Sequence, residues 1–343
     1  MAMNGTNISS QATDERDKHR ATSWQSKLKS WRETGQLSTF SPIVVLILMI
    51  AVMSIGDVKF LSLHNFINIL EQIATLLIMG LGQTFVILLG SIDLSVAAIA
   101  SLTSIVAAML VPQLGLGAFV VATLVGVGAG LLTGLVHTKA RIPSFIASLG
   151  AMGVWTGVSF TISNATPIQI LREHGHYLTW ATGTVLGLPN EIIIAFSVLL
   201  LCFVLERYTR FGRSVKAIGA GEKAARLSGV AIDRYKTLAF VLCGGLAGFC
   251  GVVLATRMSG GSARIADGFL LKAIAIVILG GTSISGGVGG VFRTLVGALL
   301  IAALDTGMNI VGVNVFAQQI VYGVVVILAV ALTINRSKMP IIK

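Results

Sequence analysis

The sequence predicts an all-α, polytopic integral membrane protein with about ten transmembrane helices. Of its 343 residues, 55% are hydrophobic and only 11% are charged, whereas soluble domains carry roughly 25% charged residues. Apolar runs long enough to cross a bilayer recur along the chain. Because a backbone in lipid must satisfy its own hydrogen bonds, these runs are expected to be helices.

The predicted spans follow one another from residue 41 onward. The sixth and eighth are short, and the eighth is a candidate for a broken or tilted helix. In order, the runs are 41–56, 66–90, 95–111, 116–137, 143–163, 191–206, 237–256, 270–283, 290–307 and 316–335. The transmembrane domain is therefore placed at 41–336, between a polar tail at 1–40, predicted to be mobile as far as about Thr34, and a short tail at 337–343.

The distribution of basic residues predicts the orientation. With ten spans both termini lie on one side, and 20 of the 25 Lys and Arg residues fall on that side. Loops that face the cytoplasm carry such an excess, so both termini are predicted to be cytoplasmic. This topology accounts for the net charge of +11, and no nucleic-acid partner is expected.

The segment 207–236, called the basic segment below, interrupts the series of spans. It reads RYTRFGRSVKAIGAGEKAARLSGVAIDRYK and contains eight Lys and Arg residues. A short helix is predicted at 222–230, with Gly221 or the residues before it at its start and Glu222 at its positive end. Gly229 is expected to end it in a left-handed turn. Two interpretations stay open, a helix that docks into a partner and an interfacial helix on anionic lipid.

Small residues predict where helices pack closely. Without a hydrophobic force between helices in lipid, close approach of backbones supplies the packing. We expect this in three spans, through Gly126, Gly130 and Gly134, through Gly150, Gly153 and Gly157, and through Gly244 and Gly248.

Two polar or glycine-rich stretches are candidates for a solute pathway or for structural loops. An apolar Val-Ile-Leu run precedes both, which is either a faint internal repeat, as in many transporters, or chance. A capping role at a helix start is expected for Asp93, with a functional role for a charge in the membrane as the alternative. The candidate residues are Ser91, Asp93 and Ser95 in the first stretch, and Gly280, Gly281, Thr282, Ser283, Ser285, Gly286 and Gly287 in the second.

Catalytic chemistry of the chain's own is not predicted. The sequence contains no GK[ST] triplet, so a phosphate-binding loop for ATP hydrolysis is missing. Cys202, Cys243 and Cys250 lie in apolar runs and are expected to be buried hydrophobic residues. No catalytic residue, metal site or cofactor site is assigned to this chain.

Several stretches resemble the membrane permease subunits of bacterial ATP-binding-cassette importers, in particular the ribose/xylose/arabinose class. The order and spacing agree from about residue 57 to 336. The stretches are 84–87, 90–96, 141–150, 211–219, 224–230, 280–287, 295–299 and 318–323.

The resemblance implies a non-catalytic subunit of the bacterial inner membrane that forms the pathway for a monosaccharide. Its implied partners are a second permease copy or paralogue, a periplasmic sugar-binding protein and cytoplasmic ATPase subunits, which hold the ATP and Mg. The residues implied to contact the ATPase are Gly219, Gly221, Glu222, Ala224, Ala225, Arg226, Leu227 and Gly229.

The chain departs from the family pattern at a few positions. Arg293 stands where a glycine is usual, and Ser91 and Ala97 replace common glycines. Lys272 lies in a stretch, 269–272, where the family usually has an acidic residue. These changes leave the identity of the sugar open.

Two alternatives stay open at this point. A related importer permease would carry a nucleoside or a branched-chain amino acid through a similar chain. An ion-coupled secondary carrier would need carboxylates in the middle of the membrane, and it would leave the basic segment without a role.

Overall fold

A computed structural model describes residues 36–56, 60 and 62–333, and almost all of this part of the chain is helical. Residues 1–35 of the predicted N-terminal tail, and the predicted C-terminal tail at 337–343, lie outside the described residues. The helices are α1 (Gln36–Gly56), α2 (Leu63–Leu88), α3 (Val96–Leu114), α4 (Gly117–Lys139), α5 (Ser144–Ile162), α6 (Thr179–Thr182), α7 (Asn190–Tyr208), α8 (Arg210–Ala220), α9 (Glu222–Leu227), α10 (Ile232–Arg257), α11 (Phe269–Leu279), α12 (Val291–Ile310) and α13 (Val315–Thr333).

All ten predicted runs lie on helices, namely α1 to α5, α7 and α10 to α13. Within the described residues, six helices are long and apolar enough to cross a membrane, or seven if α7 and α8, bent by 69° at their junction, count as one span. The apolar parts of α1, α11 and α13 are shorter. The all-α, multi-pass class is confirmed, and the count of ten crossings stays a prediction.

Helix α10 lies at the centre of the bundle and packs against α2, α3 and α4. The contact with α4 is backbone against backbone: a β-carbon on Gly126 would lie 2.6 Å from the carbonyl oxygen of Gly244, and one on Gly130 would lie 2.2 Å from that of Phe240. Small residues therefore allow this close approach, as predicted from their spacing.

The glycines of α5 do not pack in this way, and that prediction is wrong for contacts within the chain. A β-carbon at Gly150, Gly153 or Gly157 would meet nothing within 4 Å. The helix packs mainly against α3 and buries its opposite side, through Ala147, Ser148 and Ser159. Its glycine face is left uncovered by the described part of the chain.

Helix α11 is shorter than the predicted eighth span, 270–283. It ends at Leu279 because Gly281 adopts a left-handed conformation, with φ +90°, that favours glycine and stops the helix. With 11 residues, α11 rises about 16 Å, roughly half of a bilayer core. The eighth run is therefore not a full-length spanning helix, and the expectation of a broken or tilted span at this position stays a prediction.

On the side predicted to face outward, short segments cover the helix ends. Two two-stranded antiparallel pairs form, β1 with β4 and β2 with β3, and a 3₁₀ helix precedes α6. The bounds are β1 (Ile168–Gln169), the 3₁₀ helix (Arg172–Leu178), β2 (Thr184–Val185), β3 (Leu188–Pro189) and β4 (Gly260–Gly261).

Candidate functional site

The basic segment is mostly helical, and α8 within it was not predicted. Helix α8 ends at Ala220, and the N–H of the next residue, Gly221, lies 3.2 Å from two carbonyl oxygens of the last turn. The carbonyl of Gly221 accepts from the N–H of Ala225 at 2.9 Å and so begins α9. The predicted helix 222–230 is too long, because α9 ends at Leu227. The left-handed turn at Gly229 is confirmed, with φ +79°.

Helix α9 has one buried face and one exposed face. Ala225 is buried against the protein, whereas Ala224 is exposed. The leucine at the end of the helix, Leu227, is 91% exposed. Ala224 and Leu227 are three residues apart and therefore share the exposed face of α9.

Ion pairs hold α9 to the start of α10. The Glu222 carboxylate lies 2.7 Å from Nζ of Lys236 and 3.2 Å from a guanidinium nitrogen of Arg226. The hydrogen bond from Lys236 is the main reason that the pKa of Glu222 lies below its ordinary value. Arg226 therefore forms an ion pair within α9.

The end of α8 touches the glycine-rich stretch and the end of α2 through the backbone. A β-carbon on Gly219 would lie 1.9 Å from the carbonyl oxygen of Leu88 and 2.4 Å from the nitrogen of Gly287. The N–H of Gly287 donates to that same Leu88 oxygen at 2.9 Å. Residues 88–90, 206, 219–220 and 286–291, which meet here, are called the helix-end junction below.

A buried glutamate, Glu206, ties three helices together at the helix-end junction. It lies in the last turn of α7, and one carboxylate oxygen is 2.6 Å from Nζ of Lys216 in α8. The other oxygen accepts from the N–H of Val291, at the start of α12, at 2.7 Å. A carboxylate at a helix N-terminus is stabilised by the free N–H groups and the helix dipole. The Glu206 carboxylate thus links the end of α7 to α8 and to the start of α12.

The two candidate stretches share one turn geometry. Gly90 and Gly281 follow α2 and α11 with φ of +75° and +90°. The next residue in each stretch, Ser91 or Thr282, donates its N–H to the carbonyl five residues earlier, at 3.1 Å in both cases. This is the hydrogen bond of a Schellman motif. The same turn also ends α9 at Gly229 and α12 at Gly312, so it does not distinguish an internal repeat from chance.

Asp93 does not cap α3 as predicted, because the N-cap residue is Ser95 and the Asp93 carboxylate binds Ser95 rather than an N–H group of the helix. Oδ1 of Asp93 accepts from the N–H of Ser95 at 2.8 Å and from its hydroxyl at 2.6 Å. The amide of Gln83 donates to the carbonyl of Asp93 at 3.1 Å. Asp93, Ser95 and Gln83 are fully buried, so these groups support the turn between α2 and α3.

The two charged departures from the family pattern each have a partner. Nζ of Lys272 lies 2.8 Å from Oδ2 of Asp305 and 4.5 Å from the centre of the Tyr322 ring, so it links α11, α12 and α13. A guanidinium nitrogen of Arg293 donates to the carbonyl of Gly281 at 2.8 Å. Each cation thus fixes one end of the short helix α11.

The structure brings most of the predicted site residues into one region. The backbones of the two candidate stretches lie close together, because a β-carbon added to Gly90 would be 3.1 Å from the carbonyl oxygen of Ser285. Sequence reasoning missed the contribution of Glu206 and Lys216, for which the only signal was an acid at the end of an apolar run. Among the described residues no group of His, Cys, Asp and Glu could hold a metal ion.

The sequence is similar to known transport proteins over most of its length. A family model described as branched-chain amino acid transport system / permease component matches residues 65–330. The ribose import permease protein RbsC of Escherichia coli K12 is 37% identical over 292 residues, which cover 84% of this chain and 91% of the relative. RbsC of Bacillus subtilis is 36% identical over 315 residues, 91% of this chain and 98% of the relative.

A third relative, the D-allose transport system permease protein AlsC of Escherichia coli K12, is 31% identical over 293 residues, which cover 84% of this chain and 89% of the relative. No solved structure matches the chain. The family match covers more than half of the described helices and includes the helix-end junction. The chain therefore belongs to the family of transport-system permease components.

Proposed function

We propose that this chain is the membrane-spanning subunit of an ATP-binding-cassette importer that carries a monosaccharide across the bacterial inner membrane. The relatives named for their solutes support the substrate class, because they are permeases for ribose, allose and L-arabinose. The chain itself catalyses no covalent step. ATP and Mg belong to a cytoplasmic ATPase partner, and the permease converts motion of that partner into motion of its helices.

The observation that carries the proposal is the contact between the basic segment and the ends of α2 and α12. A partner that binds the exposed face of α9, at Ala224 and Leu227, would push on α8 through the single residue between the two helices, Gly221. Because the glycine at position 219 leaves no gap against Leu88, that push reaches the bundle without a flexible link.

Two further partners follow from the family. A periplasmic sugar-binding protein would dock on the outward side, where Gln169, Arg172 and Ser259 contribute to a polar depression of about 430 Å³. A second copy of the chain, or a paralogue, would cover the open glycine face of α5. Helices that present small residues in this way associate closely in membranes.

The ATPase contact is tested by co-purification from native membranes. We compare the unsubstituted chain with Leu227→Asp, which places a charge at the exposed tip of α9. The matched control is Leu186→Asp, because Leu186 is 99% exposed at the outward hairpin. We expect an ATPase subunit to co-purify with the unsubstituted chain and with the control, and to be lost from Leu227→Asp. Purification of the unsubstituted chain without any ATPase, with transport that needs no ATP, would instead support a secondary carrier.

The solute is tested by uptake in cells that lack their own sugar permeases. Labelled ribose, allose and arabinose are compared with labelled leucine, because the family model is described for branched-chain amino acid transport. Each assay supplies the cognate binding protein and ATPase from the same organism. Uptake of one of the sugars is expected, and uptake of leucine alone would overturn the assignment of a monosaccharide.

A further inference from the structure

An apolar groove runs along the outside of the bundle between α4 and α10. It encloses about 560 Å³. Leu238, Leu242, Leu246 and Phe249 of α10 form its long wall, and Thr123 lies on the opposite wall in α4. The hydroxyl of Thr123 already donates to the carbonyl of Phe119 in its own helix, so it presents its methyl group.

The groove has the length of one lipid leaflet. From Leu238 to Phe249 the axis of α10 rises about 16 Å, at about 1.5 Å per residue, which is about half of a 30 Å hydrocarbon core. At one end, Leu205 of α7 and Phe211 of α8 close the groove. This is the end of the basic segment, so, resting on the orientation of the proposed function, the groove lies in the cytoplasmic leaflet.

Three arginines lie close to that end along the chain. Arg207 and Arg210 lie between the two residues that close the groove, Leu205 and Phe211, and Arg234 lies one helical turn before Leu238 in α10. All three are exposed. Within the described part of the chain none of them forms an ion pair with an acid, whereas nearby Lys216 and Lys236 are both paired.

We propose that this groove binds one anionic phospholipid of the cytoplasmic leaflet. An acyl chain would fill the groove, and the phosphate would lie among the three arginines. Anionic headgroups bind through charge to basic pockets between helices on the cytoplasmic side. A concave apolar surface contacts an acyl chain on more sides than a convex helix surface does. The arginines give the site its preference for anionic over zwitterionic lipid.

The lipid would support the helix that leads to the docking helix α9. Phe211, in the groove wall and in the first turn of α8, has its ring centre 5.5 Å from that of Phe85 in α2 and 6.4 Å from that of Tyr235 in α10. Its remaining face borders the groove. An occupied groove therefore completes the packing around the start of α8.

Native mass spectrometry of the purified chain, incubated with equal amounts of phosphatidylglycerol and phosphatidylcholine, tests the proposal. We expect one phosphatidylglycerol per chain, retained at least tenfold over phosphatidylcholine. Arg210→Gln with Arg234→Gln should bring that ratio close to one. The control pair, Lys139→Gln with Arg141→Gln, removes the same charge from another loop on the same side and should leave the ratio unchanged.

A second variant tests the groove itself. Gly245 lies in the groove, and Gly245→Leu should lower retention of phosphatidylglycerol at least fivefold. The control, Leu201→Phe, adds bulk at a position that is 69% exposed on α7 and should retain the lipid. Melting curves of both variants are measured to check that each is folded.

Equal retention of the two lipids by the unsubstituted chain would overturn the proposal, and so would a loss in the control pair as large as in the arginine pair. The measurement uses the isolated chain without an ATPase. Failure to bind lipid therefore leaves the transport proposal standing, and failure to bind an ATPase leaves the lipid proposal standing.

Discussion

At the scale of single residues, Gly219 is a position in the helix-end junction that has no room for a side chain. Any side chain there must displace the carbonyl of Leu88 or the nitrogen of Gly287. Gly219→Ala is expected to lower ATP-driven uptake by about tenfold, the effect of about 1.4 kcal/mol on a rate. Co-purification of the ATPase should persist, because the outer face of α9 is unchanged.

The control for this substitution is Gly128→Ala, in α4, where a β-carbon meets nothing within 4 Å. Uptake by this control should equal that of the unsubstituted chain. If Gly219→Ala transports equally well, the helix-end junction does not transmit motion from α9.

Glu222 gives the docking helix a defined dependence on pH. Its carboxyl pKa is lowered mainly by the hydrogen bond from Lys236. Because the pKa of Glu222 is lowered in the folded protein, its ionic contact with Lys236 is complete at any pH above the ordinary carboxyl pKa of about 4.3. The contact is lost only as the pH falls through the lowered pKa. Hydrogen exchange of residues 219–230, corrected for its intrinsic rate, should therefore show equal protection at pH 7 and at pH 5.5.

The substitution Glu222→Gln should raise exchange of the same residues already at pH 7, because Lys236 then loses its ionic partner. Asp233→Asn is the control, an exposed acid at the start of α10. A fall in protection of the unsubstituted chain between pH 7 and pH 5.5 would contradict the role assigned to the Glu222 carboxylate.

At the scale of elements, helix α4 offers a matched pair of glycines. Gly130 faces α10, and a β-carbon there would lie 2.2 Å from the carbonyl of Phe240, whereas one on Gly128 meets nothing within 4 Å. Gly130→Ala is expected to cost about 1–3 kcal/mol through overpacking. Gly128→Ala should be neutral or stabilising, because alanine is the better helix former.

Melting temperatures of the two variants in the same detergent measure the difference. A lower melting temperature for Gly130→Ala alone would agree with the α4–α10 contact. Equal melting temperatures would show that α10 does not approach α4 as closely as the structure has it.

The sequence allowed the helices to be predicted well but not all of their contacts. Runs of apolar residues identify a helix in lipid regardless of its neighbours, which is why all ten predicted runs lie on helices. The spacing of glycines does not say which partner covers them, so α4 and α5 looked alike although only α4 packs within the chain. Helix α8 was missed although Gly212, Val215 and Ile218, which it buries, recur every three residues among basic ones, a pattern typical of an amphipathic helix.

For the candidate site, too, local turns could be predicted from the sequence, whereas contacts between distant residues could not. Gly229 and Gly281 could be recognised as turn residues, because left-handed backbone favours glycine wherever it occurs. The role of Glu206 depends on Lys216 and on the N–H of Val291, which lies 85 residues away along the chain. No local pattern in the sequence encodes such a contact.

At the scale of the whole molecule, the open glycine face of α5 predicts where two permease subunits meet. Cysteines introduced singly at Gly150, Gly153 and Gly157 are expected to form disulfide-linked dimers in native membranes for at least one position, since a disulfide requires Cα atoms within about 7 Å. Background reaction should be low, because the native cysteines Cys202, Cys243 and Cys250 are all buried.

The control for this cross-linking is Leu124→Cys, which is also exposed, at 59%, but on α4, and which should stay monomeric. A cross-linked species with twice the mass of the chain would indicate two identical subunits, because a disulfide needs a cysteine in each partner. If all three positions on α5 stay monomeric along with the control, two copies of this chain do not meet at α5.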